Sequence, residues 1–155
     1  MAHHVLPAHD YSVWVDGSQI FKPVRVWEDL VKPVVEAAAD LATFKHPLRQ
    51  CVYQEERACE RHRKDNVGVM REQMDKYRAE NYPPYSGMVE TACVIRANTP
   101  EVHEFNAAWW EEIESNSFRD QLSFNYVCWR LGRPYAHIPG HREDSSFFNF
   151  VSHKR

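Results

Sequence analysis

No apolar run in this chain approaches the roughly 18 to 20 residues that a membrane-crossing helix requires, so no transmembrane segment is expected. A basic excess is also lacking. The net charge is −3, which argues against nucleic acid as the main partner, because nothing is left over to neutralise phosphates. The four cysteines, at 51, 59, 93 and 128, show no Cys-x-x-Cys spacing, which excludes a zinc knuckle or a dithiol redox motif. They read as reduced, mostly buried thiols in a reducing cytoplasm. The start, Met1-Ala2-His3-His4, has no charged-then-apolar signal pattern, and His3-His4 is too short to be a purification tag. Internal repeats and low-complexity linkers are absent. The nine histidines show neither His-x-His nor His-x-x-Glu-His spacing, and most read as surface or loop residues.

What is present is globular. Over 155 residues, 43% are apolar and 13% aromatic, enough for a single domain, 1–155, with a real core. The core is expected over about residues 5–140, with 141–155 as a tail. The most informative segment is Tyr11-Ser12-Val13-Trp14-Val15-Asp16-Gly17-Ser18. It is a short apolar strand that delivers one carboxylate to a sheet edge. A glycine follows that lets backbone approach a ligand, and then a hydroxyl. The same eight residues also describe an ordinary β-turn.

Periodicity places the other elements. A helix is expected over about Val26–Leu41, broken or restarted at Pro33. Thr43–Arg49 reads as strand or loop. One long polar helix is expected from Gln54 to Asn81, with Val67, Met70, Met74 and Tyr77 on one face and Gly68 weakening its middle. Tyr82–Gly87 is a turn-rich loop, and Val89–Arg96 is a strand centred on Cys93-Val94-Ile95. Thr99-Pro100-Glu101 starts a helix with Val102, Phe105, Trp109 and Ile113 inward. Ser117 to Asp120 reads as a capping box opening a buried helix that Gly132 ends. The last 20 residues read as a short strand and a tail.

Six pieces in order carry a resemblance: Ser12–Gly17, His46-Pro47-Leu48-Arg49, Tyr53-Gln54-Glu55, Gly87–Thr91, Trp109–Ile113 and Arg119-Asp120-Gln121-Leu122-Ser123-Phe124. Together they resemble the glycosyltransferase-like domain of bacterial capsule and plant cell-wall proteins. The likeness covers roughly residues 5 to 140, and the Arg119–Phe124 stretch is its most specific piece. More distantly, the pattern resembles retaining GT-A glycosyltransferases of the glycogenin type. The resemblance implies an α/β fold, a GT-A-like three-layer α/β/α arrangement with mixed strands. It implies a nucleotide-sugar donor, a saccharide or other hydroxyl acceptor, and Mn²⁺ or Mg²⁺ as cofactor. Two departures stand out. Ser18 occupies the place of a second carboxylate, and the family's preceding nucleotide-binding half is not expected in this chain, which then reads as a short form, a fragment or one part of a split enzyme. A homo-oligomer or a partner chain would then supply that half.

On the resemblance, Asp16 is the metal and diphosphate ligand, with Gly17 and Ser18 beside the donor; the alternative for Asp16 is a turn carboxylate. His141, or His137 as second choice, would complete the metal site; the alternative is a solvated histidine. The Pro139-Gly140-His141 turn favours His141, because a glycine-hinged loop can fold over a ligand. Asp120 and Gln121 would contact the donor sugar near its anomeric carbon, with Arg119 next to them; the capping box is the alternative for Asp120. Glu90 would bind acceptor or act as a base, against an edge-strand surface acid. His46 and Arg49, with Gly87, are assigned to substrate; the alternative for Arg49 is an ion pair with Glu55 or Glu56. Of Trp109 and Trp110, one is expected inward and one exposed. The charge run Arg57–Lys64 is expected to be a solvated helix face. The leading expectation is metal-dependent sugar transfer. The rivals are a catalytically weak binding module or half of a split enzyme, a metal-dependent hydrolase, and a purely structural domain.

Overall fold

The computed structural model describes residues 8–151; His3, His4 and the last four residues of the expected tail lie outside them. The described residues form two compact units, one of 8–45, 90–103 and 134–151, the other of 46–89 and 104–133.

The first unit is built on strands. β1 (Tyr11–Val15) lies antiparallel to β4 (Val89–Ala97), in register from Tyr11 against Ala97 to Val15 against Cys93. β3 (Leu41–Lys45) follows, and β5 (Ala136–Ile138) joins it in parallel, so the order is β1-β4-β3-β5 and the sheet is mixed. β4 is interior. Cys93, Val94 and Ile95 are fully buried, the near-continuous apolar pattern of a strand covered on both faces. A second, two-stranded sheet pairs β2 (Gln19–Phe21) with β6 (Phe148–Phe150).

Two sequence expectations are corrected in this unit. The 26–41 helix is a π-helical turn, α1 (Val26–Val31), followed by a short α2 (Lys32–Glu36). Pro33 sits in the first turn of α2, where its missing N–H costs no helical bond, so it restarts the helix. Leu41 belongs to β3. The expected tail contributes β6, and Phe147 and Phe148 enter the core with Leu30, Val31, Phe44, Ile95 and Ile138. The Phe148 ring lies 4.8 Å from Phe21 and 6.2 Å from Phe44. Each such buried side chain contributes roughly 1.5–3 kcal/mol, which explains why these residues do not stay in solvent.

The second unit is helical. The expected 54–81 helix is two helices, α3 (Val52–Arg61) and α4 (Val67–Ala79). Asn66 caps α4, its Oδ1 accepting from the N–H groups of Gly68 at 2.8 Å and Val69 at 3.2 Å. Gly68 therefore lies in a first turn and weakens no helix middle. The charge run is solvated as expected, with Arg57, Arg61, His62, Arg63 and Lys64 exposed, but its last three residues lie beyond the end of α3.

α5 (Pro100–Ser115) begins as its sequence dictates, with the Val102 N–H reaching Thr99 Oγ1 at 3.4 Å. Trp109 is inward, 7% exposed, and Trp110 outward, 52% exposed. α6 (Gln121–Arg130) starts later than a capping box would place it. Ser117 Oγ donates to Asp65 Oδ2 at 2.5 Å instead of capping toward residue 120, and Asp120 caps the helix itself. Gly132, at φ +59°, closes α6 with the Arg133 N–H on Cys128 O at 2.8 Å, a Schellman end. Met70, Met74, Tyr77, Phe105, Phe124 and Tyr126 are fully buried, and the Tyr77 and Tyr126 rings stack at 3.7 Å.

Candidate functional site

Asp16 follows β1 directly. Its N–H bonds Ala92 O at 2.9 Å, and its Oδ1 accepts the Ser18 N–H at 2.8 Å, an Asx turn that the Gln19 N–H to Asp16 O bond closes at 2.9 Å. Oδ2 has no protein partner among the described residues. The turn reading of this segment therefore holds, and it uses only one of the two oxygens. Gly17 has an ordinary backbone, and a Cβ built there would meet nothing within 4 Å. The fold itself does not require a glycine at this position.

Glu90 corrects the sequence alternative of an edge-strand surface acid, because β4 is interior and Glu90 is 7% exposed. Its Oε2 accepts the Arg142 N–H at 3.2 Å, and its Oε1 lies 3.5 Å from Arg142 Nε. Residues 141–144 form a tight turn, with His141 and Asp144 exchanging backbone bonds at 3.0 and 3.1 Å. Gly140 introduces that turn at φ +85°, where a Cβ would come within 2.5 Å of Asp144 O. The Pro139-Gly140-His141 segment is thus a hydrogen-bonded turn held by Glu90. His141 Nδ1 accepts from the Glu143 N–H at 3.3 Å, which leaves Nε2 as its candidate ligand atom. His137 stands in β5 opposite Thr43. Partial desolvation and the charge of Lys45 hold its imidazole below the ordinary range, against a hydrogen bond that the ring donates to the Thr43 backbone.

In the helical unit, His46 and Arg49 gather around Glu55, and Arg119 acts on the neighbouring Cys59. His46 is buried, and its Nδ1 accepts the N–H groups of Leu48 at 3.1 Å and Arg49 at 3.0 Å. His46 Nε2 lies 3.4 Å from Glu55 Oε2, and Arg49 Nε donates to the same oxygen. Burial disfavours the Glu55 carboxylate, but hydrogen bonds from His46 and Arg49 and the Arg49 charge outweigh it, holding the group at about 2. Cys59 Sγ lies 3.6 Å from Glu55 Oε1. Burial, reinforced by the Glu55 charge and opposed by Arg119, pushes the Cys59 thiol up to about 11, so it is no nucleophile at neutral pH. Arg49 thus makes the ion pair that was its alternative reading. Gly87, at φ +93°, is a turn glycine ahead of β4.

Asp120 Oδ1 accepts the Gln121 N–H at 2.8 Å, and its carbonyl takes Trp109 Nε1 at 3.0 Å. The Gln121 carboxamide is half-buried and has no protein hydrogen-bond partner among the described residues. No group of three or more His, Cys, Asp or Glu among the described residues is placed to hold a metal ion. The turn at Asp16 offers one free carboxylate oxygen, so a cation there would need further ligands, a bound diphosphate and water among them. Sequence reasoning missed Arg142. Its only local signal is a charged run behind a Pro-Gly turn, and its partner lies 52 positions away.

The chain matches the family TOD1/MUCI70, glycosyltransferase-like domain, over residues 1–153, and it belongs to that family. It is 29% identical over 135 residues to a probable hexosyltransferase, MUCI70, of Arabidopsis thaliana, covering 82% of this chain and 23% of that protein. It is 28% identical over 139 residues to the alkaline ceramidase TOD1 of the same plant, covering 82% of this chain and 29% of that protein. The chain thus spans between a fifth and a third of the length of these curated relatives. No solved structure matches significantly. No helix among the described residues is long and apolar enough to cross a membrane.

Proposed function

We propose that this chain is a sugar-transfer domain that takes a nucleotide-sugar donor and delivers its glycosyl group to an acceptor hydroxyl, with a divalent cation at Asp16. The observation that carries the proposal is the Asp16 turn: one carboxylate oxygen is unused, next to a glycine that the fold does not demand. Family membership over residues 1–153 and the probable hexosyltransferase among its relatives support the same reading. So does the mixed sheet, which suits a GT-A-like three-layer arrangement. Four buried free cysteines suit a reducing, cytoplasmic setting.

A bound Mn²⁺ or Mg²⁺ would offset charge on the departing nucleoside diphosphate. Asp16 Oδ2 would hold the cation, while Oδ1 keeps the turn closed. The bare Gly17 lets the diphosphate approach backbone, and Ser18 lies next in the same turn. His141 Nε2 is the proposed second protein ligand, presented by the turn that Glu90 anchors through Arg142. Glu90 is thereby a positioning residue rather than a base, since Arg142 engages both its oxygens. Gln121, whose carboxamide is uncommitted, and Asp120 are proposed residue by residue as contacts to the donor sugar. Arg49, paired with Glu55, is given no part in this reading.

The test is thermal stability with Mn²⁺ and a panel of nucleotide-sugars, in wild type and in Asp16→Asn, which keeps the Asx turn and removes the charge. A ligand at a hundred times its Kd stabilises by about 2.7 kcal/mol, a readily measured rise in Tm. A metal-dependent rise with one donor, lost in Asp16→Asn, supports transfer; no rise with any donor overturns it. The relative named an alkaline ceramidase favours a second reading, a hydrolase. Turnover of an amide-linked lipid without any nucleotide-sugar would establish that reading instead.

A further inference from the structure

The helical unit contains a cavity of about 540 Å³ between the start of α3 and the Tyr82–Tyr85 loop. Its chemistry differs from that of the molecule as a whole. The chain carries a net charge of −3, yet the cavity is lined by Arg57 and Arg78 and by no acidic residue. Arg78 is partly committed, with its Nη1 2.7 Å from Asp75 Oδ1 and its guanidinium 4.8 Å above the Tyr53 ring. Arg57 is exposed, and its charge acts on Glu56 and Glu60.

The loop is built rather than loose. Tyr53 OH donates to Tyr82 O at 2.8 Å, and Ser86 Oγ donates to Pro83 O at 2.8 Å. Gln54 Nε2 reaches Tyr85 OH at 3.4 Å. Asn81 and Tyr85 hold left-handed backbone, at φ +62° and +61°. For tyrosine that conformation is costly, and it persists only where the surroundings enforce it. The outcome is an aromatic ring 67% exposed at the mouth of a cationic cavity.

We propose that this cavity binds an anionic saccharide. One pyranose face would stack on Tyr85, hydroxyls would meet the carboxamides of Gln54 and Asn81, and an acidic substituent would pair with Arg57 and Arg78. A nucleotide fits less well. A base is best held between two faces, but Arg78 covers Tyr53 and Tyr82 is only 3% exposed, which leaves Tyr85 as a single platform. The acidic substituent could be a carboxylate or a sulfate, and both pair with guanidinium. The proposal does not depend on the donor reading, because every residue it uses lies in the helical unit and Asp16 lies in the other.

Calorimetric titration of the full chain decides it, using a hexuronic acid tetrasaccharide, the same sugar with its carboxylates reduced to alcohols, a sulfated tetrasaccharide, and UDP. Binding of either anionic sugar, absent with the reduced one and weakened by salt, is expected, and the stronger of the two identifies the substituent. Arg57→Gln should weaken it about tenfold or more. Tyr85→Asn should abolish stacking while keeping the fold, because asparagine tolerates left-handed backbone. Asp16→Asn should leave the affinity unchanged. No binding by either anionic sugar, equal binding of the reduced sugar, binding of UDP alone, or full affinity in both cavity variants would overturn the proposal.

Discussion

Arg142 engages Glu90 through two separate groups, its backbone N–H at 3.2 Å and its guanidinium Nε at 3.5 Å. The two contacts respond differently to mutation. The Arg142 side chain is 46% exposed, so its ion pair is screened and worth under about 1 kcal/mol. The backbone bond survives Arg142→Ala but not Glu90→Ala. Glu90→Ala is therefore expected to cost roughly 1–3 kcal/mol, and Arg142→Ala less than half of that. Urea denaturation of both variants and the double mutant would show it. Equal losses would mean that the side-chain pair alone holds the turn.

Glu55 predicts a pH dependence. Its folded pKa, about 2, lies below its ordinary 4.5. A depressed carboxylate contributes stability above its unfolded pKa and loses it as pH falls toward the folded value. The contribution is thus complete above about 4.5 and disappears toward 2, with a magnitude on the order of 2 kcal/mol after screening. Arg49→Gln removes one of the two partners and should move the acid limb of the stability curve to higher pH. Denaturation midpoints measured across that interval would test this, and an unshifted limb would sink it.

The features legible in the sequence were the local ones. Apolar alternation marked β1, the Cys93-Val94-Ile95 run marked β4, and Thr99-Pro100 marked the start of α5. The features that were not legible depend on distant partners. Met70, Met74 and Tyr77 do share one helical face, but nothing nearby announces that the helix is cut at residues 62–66. Asp65 is fixed there by Ser117, 52 positions away. That bond also removes Ser117 from the capping box its spacing suggests. Phe147 and Phe148 could be read as a tail until β2 offered them an edge. At the candidate site, the motif points to Asp16 and Gly17, whereas nothing near Glu90 in the sequence announces its bond to Arg142.

Glu112 should be the most sensitive acid in the helical unit. Its side chain is 3% exposed and accepts from Lys76 Nζ at 2.5 Å, Asn116 Nδ2 at 3.0 Å, Tyr77 OH at 3.2 Å and Arg130 Nη1 at 3.3 Å. Removing it leaves the Tyr77 hydroxyl in a fully buried ring without its acceptor. Lys76 and Arg130, each about a third exposed, can turn to water. Glu112→Ala is therefore expected to cost about 2–4 kcal/mol, and Lys76→Met under about 1 kcal/mol. Thermal and chemical denaturation would rank them. A Lys76 loss as large as that of Glu112 would contradict the assignment of Glu112 as the hub.

Gly17→Ala separates folding from ligand approach at the proposed donor turn. The position has ordinary backbone and open space around a built Cβ, so nothing in the folded chain resists a methyl group. Alanine also reduces the freedom of the unfolded chain, so stability should be unchanged or up by about 0.4–1 kcal/mol. A methyl at the turn would nevertheless keep a diphosphate away from the backbone beside Asp16. The expected outcome is an unchanged or slightly raised Tm without ligand, together with loss of the Mn²⁺-dependent shift produced by the nucleotide-sugar. A retained shift would mean that the donor does not approach this turn closely. A lowered Tm without ligand would mean that the glycine serves the fold after all.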